Sequence, residues 1–161
     1  MKFTPLIKGV ITGLLMVLSL LAIYYFKQTT NQKLQYVIYL IYAGGISWTL
    51  ISYYRSGSFT GKFGDLFAQG FRCFIIVILI IVIFIVVVNL LHPEFATETA
   101  GYYKEDLVKK GNLTPGEIET RVAEFKKQYI VQLVYPAIFG YLIIGSILTA
   151  AGAGIILIRR K

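Results

Sequence analysis

Cysteine and histidine occur once each in this sequence, and acids only eight times in 161 residues. A single cysteine, Cys73, excludes an intrachain disulfide and leaves no cysteine-rich metal site. The one histidine, His92, has only Glu94 and Glu98 nearby at loose spacing, a pattern that reads as solvated surface charge rather than a metal centre. Charged residues make up 15% of the 161, where a soluble domain carries about a quarter. With 57% hydrophobic residues and a mean hydropathy of +0.69, that scarcity points to a bilayer. No nucleophile-base arrangement, phosphate loop or dinucleotide fingerprint is present, so the sequence offers no catalytic residue and no cofactor site.

Seven of the eight acids fall in one stretch, Leu91 to Lys127. It is the longest polar segment, and at about 37 residues it is shorter than chains that usually fold alone. The net charge of +8 could suggest nucleic acid, but its distribution argues against that. Lysines and arginines sit at the ends of apolar runs, where such side chains meet lipid headgroups. Membrane lipids are therefore the expected partners of the basic residues.

Four runs are long and apolar enough to span. The first, residues 9–26, follows Lys2 and Lys8 and ends in aromatics without a small-residue cleavage pattern, so it reads as an uncleaved helix rather than a signal peptide. Gly9 and Gly13 form a GxxxG pair that admits a close neighbour. The second, residues 34–54, follows a short loop at 28–33 and carries no charge; at 1.5 Å per residue it covers a hydrocarbon core about 30 Å thick. Gly44 and Gly45 at its centre permit close packing. The third, residues 73–91, is bulky and β-branched throughout; its lack of small residues predicts the most lipid-exposed helix of the four. A separate interfacial helix is expected before it, over 61–72, with phenylalanines toward the acyl chains. The fourth, residues 137–158, follows a kink at Pro136. It carries two ridges of small residues at four-residue spacing, Ser146-Ala150-Gly154 and Gly145-Thr149-Ala153, which predict the central packing helix.

Four spans put both termini on one side. Basic residues divide equally between the two faces, so the terminal Arg159-Arg160-Lys161 and the lysines before the first span set the expectation: termini cytoplasmic, the 92–128 insert outside. Within the insert, Pro93 suits a helix start and Gly111 a left-handed helix end. Thr114-Pro115-Gly116-Glu117 is a capping box. From there Ile118, Val122, Phe125 and Tyr129 make one stripe, to be met by an intermittent stripe of Phe95, Tyr102, Tyr103 and Leu107. The expected fold is all-α: a four-span bundle with an extramembrane helical hairpin between the third and fourth spans, read as a single membrane domain.

The segment from Phe63 to Phe71, FGDLFAQGF, resembles a family of small bacterial four-helix inner-membrane proteins known as a domain of unknown function. So do His92-Pro93-Glu94-Phe95, the run from Asn112 to Glu119, Pro136 and the glycine-rich basic C-terminus. The resemblance covers essentially the whole chain. It implies four spans with a helical insert before the last and brings no assigned activity. The reading that follows is a non-enzymatic accessory or scaffold subunit, with a protein partner or a second copy contacting the hairpin around Tyr102, Tyr103, Lys109 and Phe125. The alternative is a small oligomeric transporter or channel for a neutral solute.

Overall fold

The computed structural model describes residues 4–26 and 32–159, with side chains from 36 on in the second segment. Lys2, residues 28–31 of the loop read at 28–33, Arg160 and Lys161 lie outside the described residues, and the rest of that loop, Gln32 and Lys33, belongs to a helix. Among the described residues there are five helices and no strand. They are α1 (Pro5–Tyr25), α2 (Gln32–Tyr54), α3 (Phe63–Leu91), α4 (Glu94–Lys110) and α5 (Pro115–Ile158). Four of them, α1, α2, α3 and α5, contain stretches long and apolar enough to cross a membrane. The protein is an all-α multi-pass membrane protein.

Contacts divide the chain into two compact units where the sequence reads as one domain. The first takes in residues 1–82 and 138–161, the second residues 83–137.

In the first unit the chain direction is fixed by where glycines meet neighbours. A Cβ at Gly9 would lie 2.6 Å from the Cys73 carbonyl oxygen, and one at Gly13 would lie 2.8 Å from Ile80 Cδ1, so α1 runs parallel to α3. A Cβ at Gly45 would strike the Thr12 side chain and Lys8 lies over the Trp48 ring, so α2 runs antiparallel to α1. Gly145 faces the Tyr42 hydroxyl and the Phe74 ring, and Gly152 faces Leu50, so α5 runs parallel to α2. Gly70 packs under Thr149. The N-terminal ends of α1 and α3 and the C-terminal ends of α2 and α5 consequently share one end of this unit.

Two expectations about the third span are corrected. No separate interfacial helix exists: α3 is one helix of 29 residues from Phe63 through Leu91. Gly61, in the left-handed region at φ 83°, belongs to the turn before it. Nothing between Phe63 and Cys73 breaks a helix, so the amphipathic turns continue directly into the apolar ones. Nor is α3 the lipid-facing outsider. Leu66, Gly70, Cys73, Phe74, Val77, Ile78 and Ile81 are buried along one face. From Cys73 on, the bulky side chains of α3 fill grooves that glycines open on α1 and α5, and before it α3's own Gly70 admits Thr149 of α5.

The second unit is built on the hairpin. Gly111 closes α4 in the left-handed region at φ 65°. Thr114 opens α5: its backbone N–H and hydroxyl both donate to the Glu117 carboxylate at 2.8 Å, and the Glu117 N–H donates back to the Thr114 hydroxyl at 3.4 Å. The two stripes close on each other. Tyr103 stacks on Phe125 with centroids 4.8 Å apart, and Thr99 shares a hydrogen bond of 3.2 Å with Tyr129. Four residues back on α4 match four residues forward on α5, the register of an antiparallel pair. Ala100, Leu107 and Ile118 are buried in this unit.

Candidate functional site

Two groupings stand out, one in each unit. In the second unit, Tyr103, Arg121, Glu124, Phe125, Gln128 and Gln132 line a depression of about 300 Å³. The α5 members recur every three or four residues, so they share the face that α4 leaves open beside Tyr103. The stacked Tyr103–Phe125 pair is its apolar floor, and a cation, an acid and two carboxamides are its polar lining. A carboxamide donates and accepts at once, which matches a peptide group.

Of the four residues expected to meet a partner, Tyr103 and Phe125 are part of this depression. Tyr102, next to Tyr103 in the chain, is 74% exposed, and Lys109 is exposed in the last turn of α4. Arg121, Glu124 and Gln128 escaped the sequence reading, although their spacing on one face of a helix that starts at Pro115 was available as a signal.

Charges on the hairpin are held locally. His92 Nδ1 lies 2.7 Å from a Glu94 oxygen, and the His92 ring stacks on Phe95. The Glu94 carboxyl is held below its usual range by its own backbone N–H and then by His92. Asp106 pairs with Lys110 at 2.6 Å across one helical turn and raises the lysine above its usual value. Both groups are exposed, so this pair adds little to stability. The Glu117 carboxyl is lowered by the Thr114 N–H first and the Thr114 hydroxyl second. Among the described residues no three His, Cys, Asp or Glu side chains come together as metal ligands.

The second grouping is a buried polar seam in the first unit. Tyr42 is fully buried, donates its hydroxyl to the Tyr141 carbonyl at 2.9 Å, and meets the Tyr141 ring edge-on. Thr12 donates to Lys8 O at 2.8 Å and Thr49 to Gly45 O at 2.9 Å, each bonding back to its own helix. The Cys73 thiol faces the Gly45 carbonyl at 3.9 Å. Thr149 is fully buried, and its hydroxyl finds no hydrogen-bond partner among the described residues.

Lys8 differs from expectation. As a flanking lysine it should reach for water, yet it is 5% exposed, with Nζ 5.4 Å from the centre of the Trp48 ring. The reason is local: Thr4 caps α1 by accepting from the Ile7 N–H, with Pro5 next, so the helix starts before the apolar run and carries Lys8 inward. A cation–π contact of this kind supplies about 2 kcal/mol when desolvated, against a burial penalty of several kcal/mol for an ammonium.

The small residues expected to pack divide unevenly. Gly9, Gly13, Gly45 and Gly145 lie against neighbouring helices, and Thr149 and Ala153 are buried. Ser146 and Ala150 are half-buried. Gly44 and Gly154 face open space, because a step of about 100° from Gly45 or Ala153 turns each off the packed face.

The family model for DUF4199, described as a protein of unknown function, matches residues 8–157. The chain belongs to the DUF4199 family. Its match runs from within the first span to within the last and includes the hairpin, so the depression and the buried seam both lie within the DUF4199 region. No curated protein and no solved structure matches this DUF4199 chain.

Proposed function

We propose that this DUF4199 protein is a non-enzymatic accessory or scaffold subunit of the bacterial cytoplasmic membrane, and that its hairpin docks a segment of a partner protein. The observation that carries this reading is the depression on the hairpin. An aromatic floor beside Gln128, Gln132, Arg121 and Glu124 suits an extended polypeptide, whose amides the carboxamides can pair and whose side chains the ring stack can receive. Tyr102, next to Tyr103 in the chain, adds a large amphipathic contact at little entropic cost.

In this reading the termini are cytoplasmic and the hairpin faces outward. Arg55, Lys62, Arg72 and Arg159 then stand on the cytoplasmic side, with Asp65 as the only acid in that group. Purification in mild detergent tests the role: a stoichiometric partner should accompany the wild-type chain and be lost from a Gln128→Ala/Gln132→Ala variant that still carries its folded bundle. A lone monomer in several detergents and in nanodiscs contradicts it. Orientation is tested separately by maleimide labelling of single cysteines at Gly116 and Arg159 in a Cys73→Ser background. Labelling of position 159 from outside intact cells overturns the assignment.

A further inference from the structure

We propose that Lys8 and Trp48 form a binding site for one anionic phospholipid, with the lipid phosphate on the Lys8 ammonium. The site is independent of the hairpin. Lys8 is 95% removed from solvent by the protein, and among the described residues it forms no ion pair with an acid. The nearest acid in sequence at this end of the unit is Asp65, and that carboxylate accepts a hydrogen bond from the Thr60 hydroxyl. Trp48 offers the ammonium a ring face, which attracts a cation but does not neutralise it.

Helix polarity increases the demand for an anion. Lys8 stands near the start of α1, where the backbone dipole already presents positive charge and where the first turn holds no acid. The positive end of the helix dipole and a buried cation both favour an anion such as phosphate. Depth selects the source. Lys8 lies three residues into the helix, about 4.5 Å along its axis, and a lysine this near a helix end can extend its ammonium toward the headgroup interface. Arg55 and Arg72, exposed at the same end, would draw anionic lipid in preference to zwitterionic lipid.

Trp48 is the only tryptophan, so its fluorescence reports this site alone. Detergent-solubilised protein is titrated with short-chain phosphatidylglycerol, phosphatidylcholine or inorganic phosphate. The expected result is a saturable change in Trp48 emission with phosphatidylglycerol, at a concentration at least tenfold below that for phosphatidylcholine. Lys8→Arg should keep the response and Lys8→Gln should lose it. Because Lys8→Gln removes a buried charge, the variant should remain folded, which circular dichroism and size-exclusion chromatography establish. An equal response to phosphatidylcholine, or a response kept in folded Lys8→Gln, overturns the proposal. Saturation by inorganic phosphate at the concentration that serves for phosphatidylglycerol overturns the lipid assignment.

Discussion

The Tyr42 hydroxyl donates to the backbone carbonyl of Tyr141 at 2.9 Å, and glycine at position 145 is what leaves room for that hydroxyl. This contact ties α2 to α5 across 99 residues of sequence. Tyr42→Phe keeps the ring and loses the bond, so thermal unfolding in detergent should show a loss of about 0.5–1.5 kcal/mol. Gly145→Ala should cost more, about 1–3 kcal/mol, because the new methyl meets both the hydroxyl and the Phe74 ring. Equal stability of Gly145→Ala and wild type would mean that the two helices do not approach as described.

Gly44 and Gly45 provide a paired test one residue apart. Alanine at 45 drives into the Thr12 side chain and should destabilise by about 1–3 kcal/mol, while alanine at 44 meets nothing within 4 Å. Gly44→Ala should therefore be neutral or stabilising by about 0.5–1 kcal/mol through helix propensity. Thr12→Ala should rescue part of the Gly45→Ala defect in a double-mutant cycle.

Among the described residues the buried hydroxyl of Thr149 has no partner, unlike Thr12 and Thr49, which bond back to their own helices. Leaving such a group unsatisfied costs about 1–3 kcal/mol. Replacing Thr149 by the isosteric Val should raise the unfolding temperature, whereas Thr149→Ala should lower it by removing contacts over Gly70. A drop with valine comparable to that with alanine would show that the hydroxyl is satisfied in the membrane.

The start of α5 should be acid-sensitive. The Glu117 carboxyl sits below its ordinary value of 4.5 in the folded chain because Thr114 hydrogen-bonds its ionised form. A lowered folded value means that the stabilisation is complete above the ordinary carboxylate range and lost as pH falls through it toward the folded value. Amide exchange in the first turn after Thr114, corrected for its intrinsic pH dependence, should show constant protection from pH 7 to about 5 and reduced protection below about 4. Thr114→Ala should cut that protection about fivefold at neutral pH.

The spans and the hairpin caps were legible because each rests on local signals: uninterrupted apolar runs, Gly111 in a left-handed cap, and the reciprocal Thr114–Glu117 pairing. Lys8 was misplaced because an apolar run begins where charge stops, whereas the helix begins where Thr4 and Pro5 start it. The burial of α3 was missed for a different reason. Close packing needs small residues on only one side of an interface, and for the bulky part of α3 after Cys73 they are Gly9, Gly13 and Gly145 on other helices. The depression on the hairpin needed the pairing of Tyr103 with Phe125, a long-range fact that periodicity within either helix does not contain.

Docking on the hairpin is tested most directly by photocrosslinking in cells from three positions, Tyr102, Lys109 and Ile143. Tyr102 and Lys109 are exposed on α4, and Ile143 is exposed on the membrane-spanning part of α5. The account predicts one partner, captured from both hairpin positions and not from Ile143. No reproducible product from Tyr102 or Lys109, or the same product from all three positions, would contradict it.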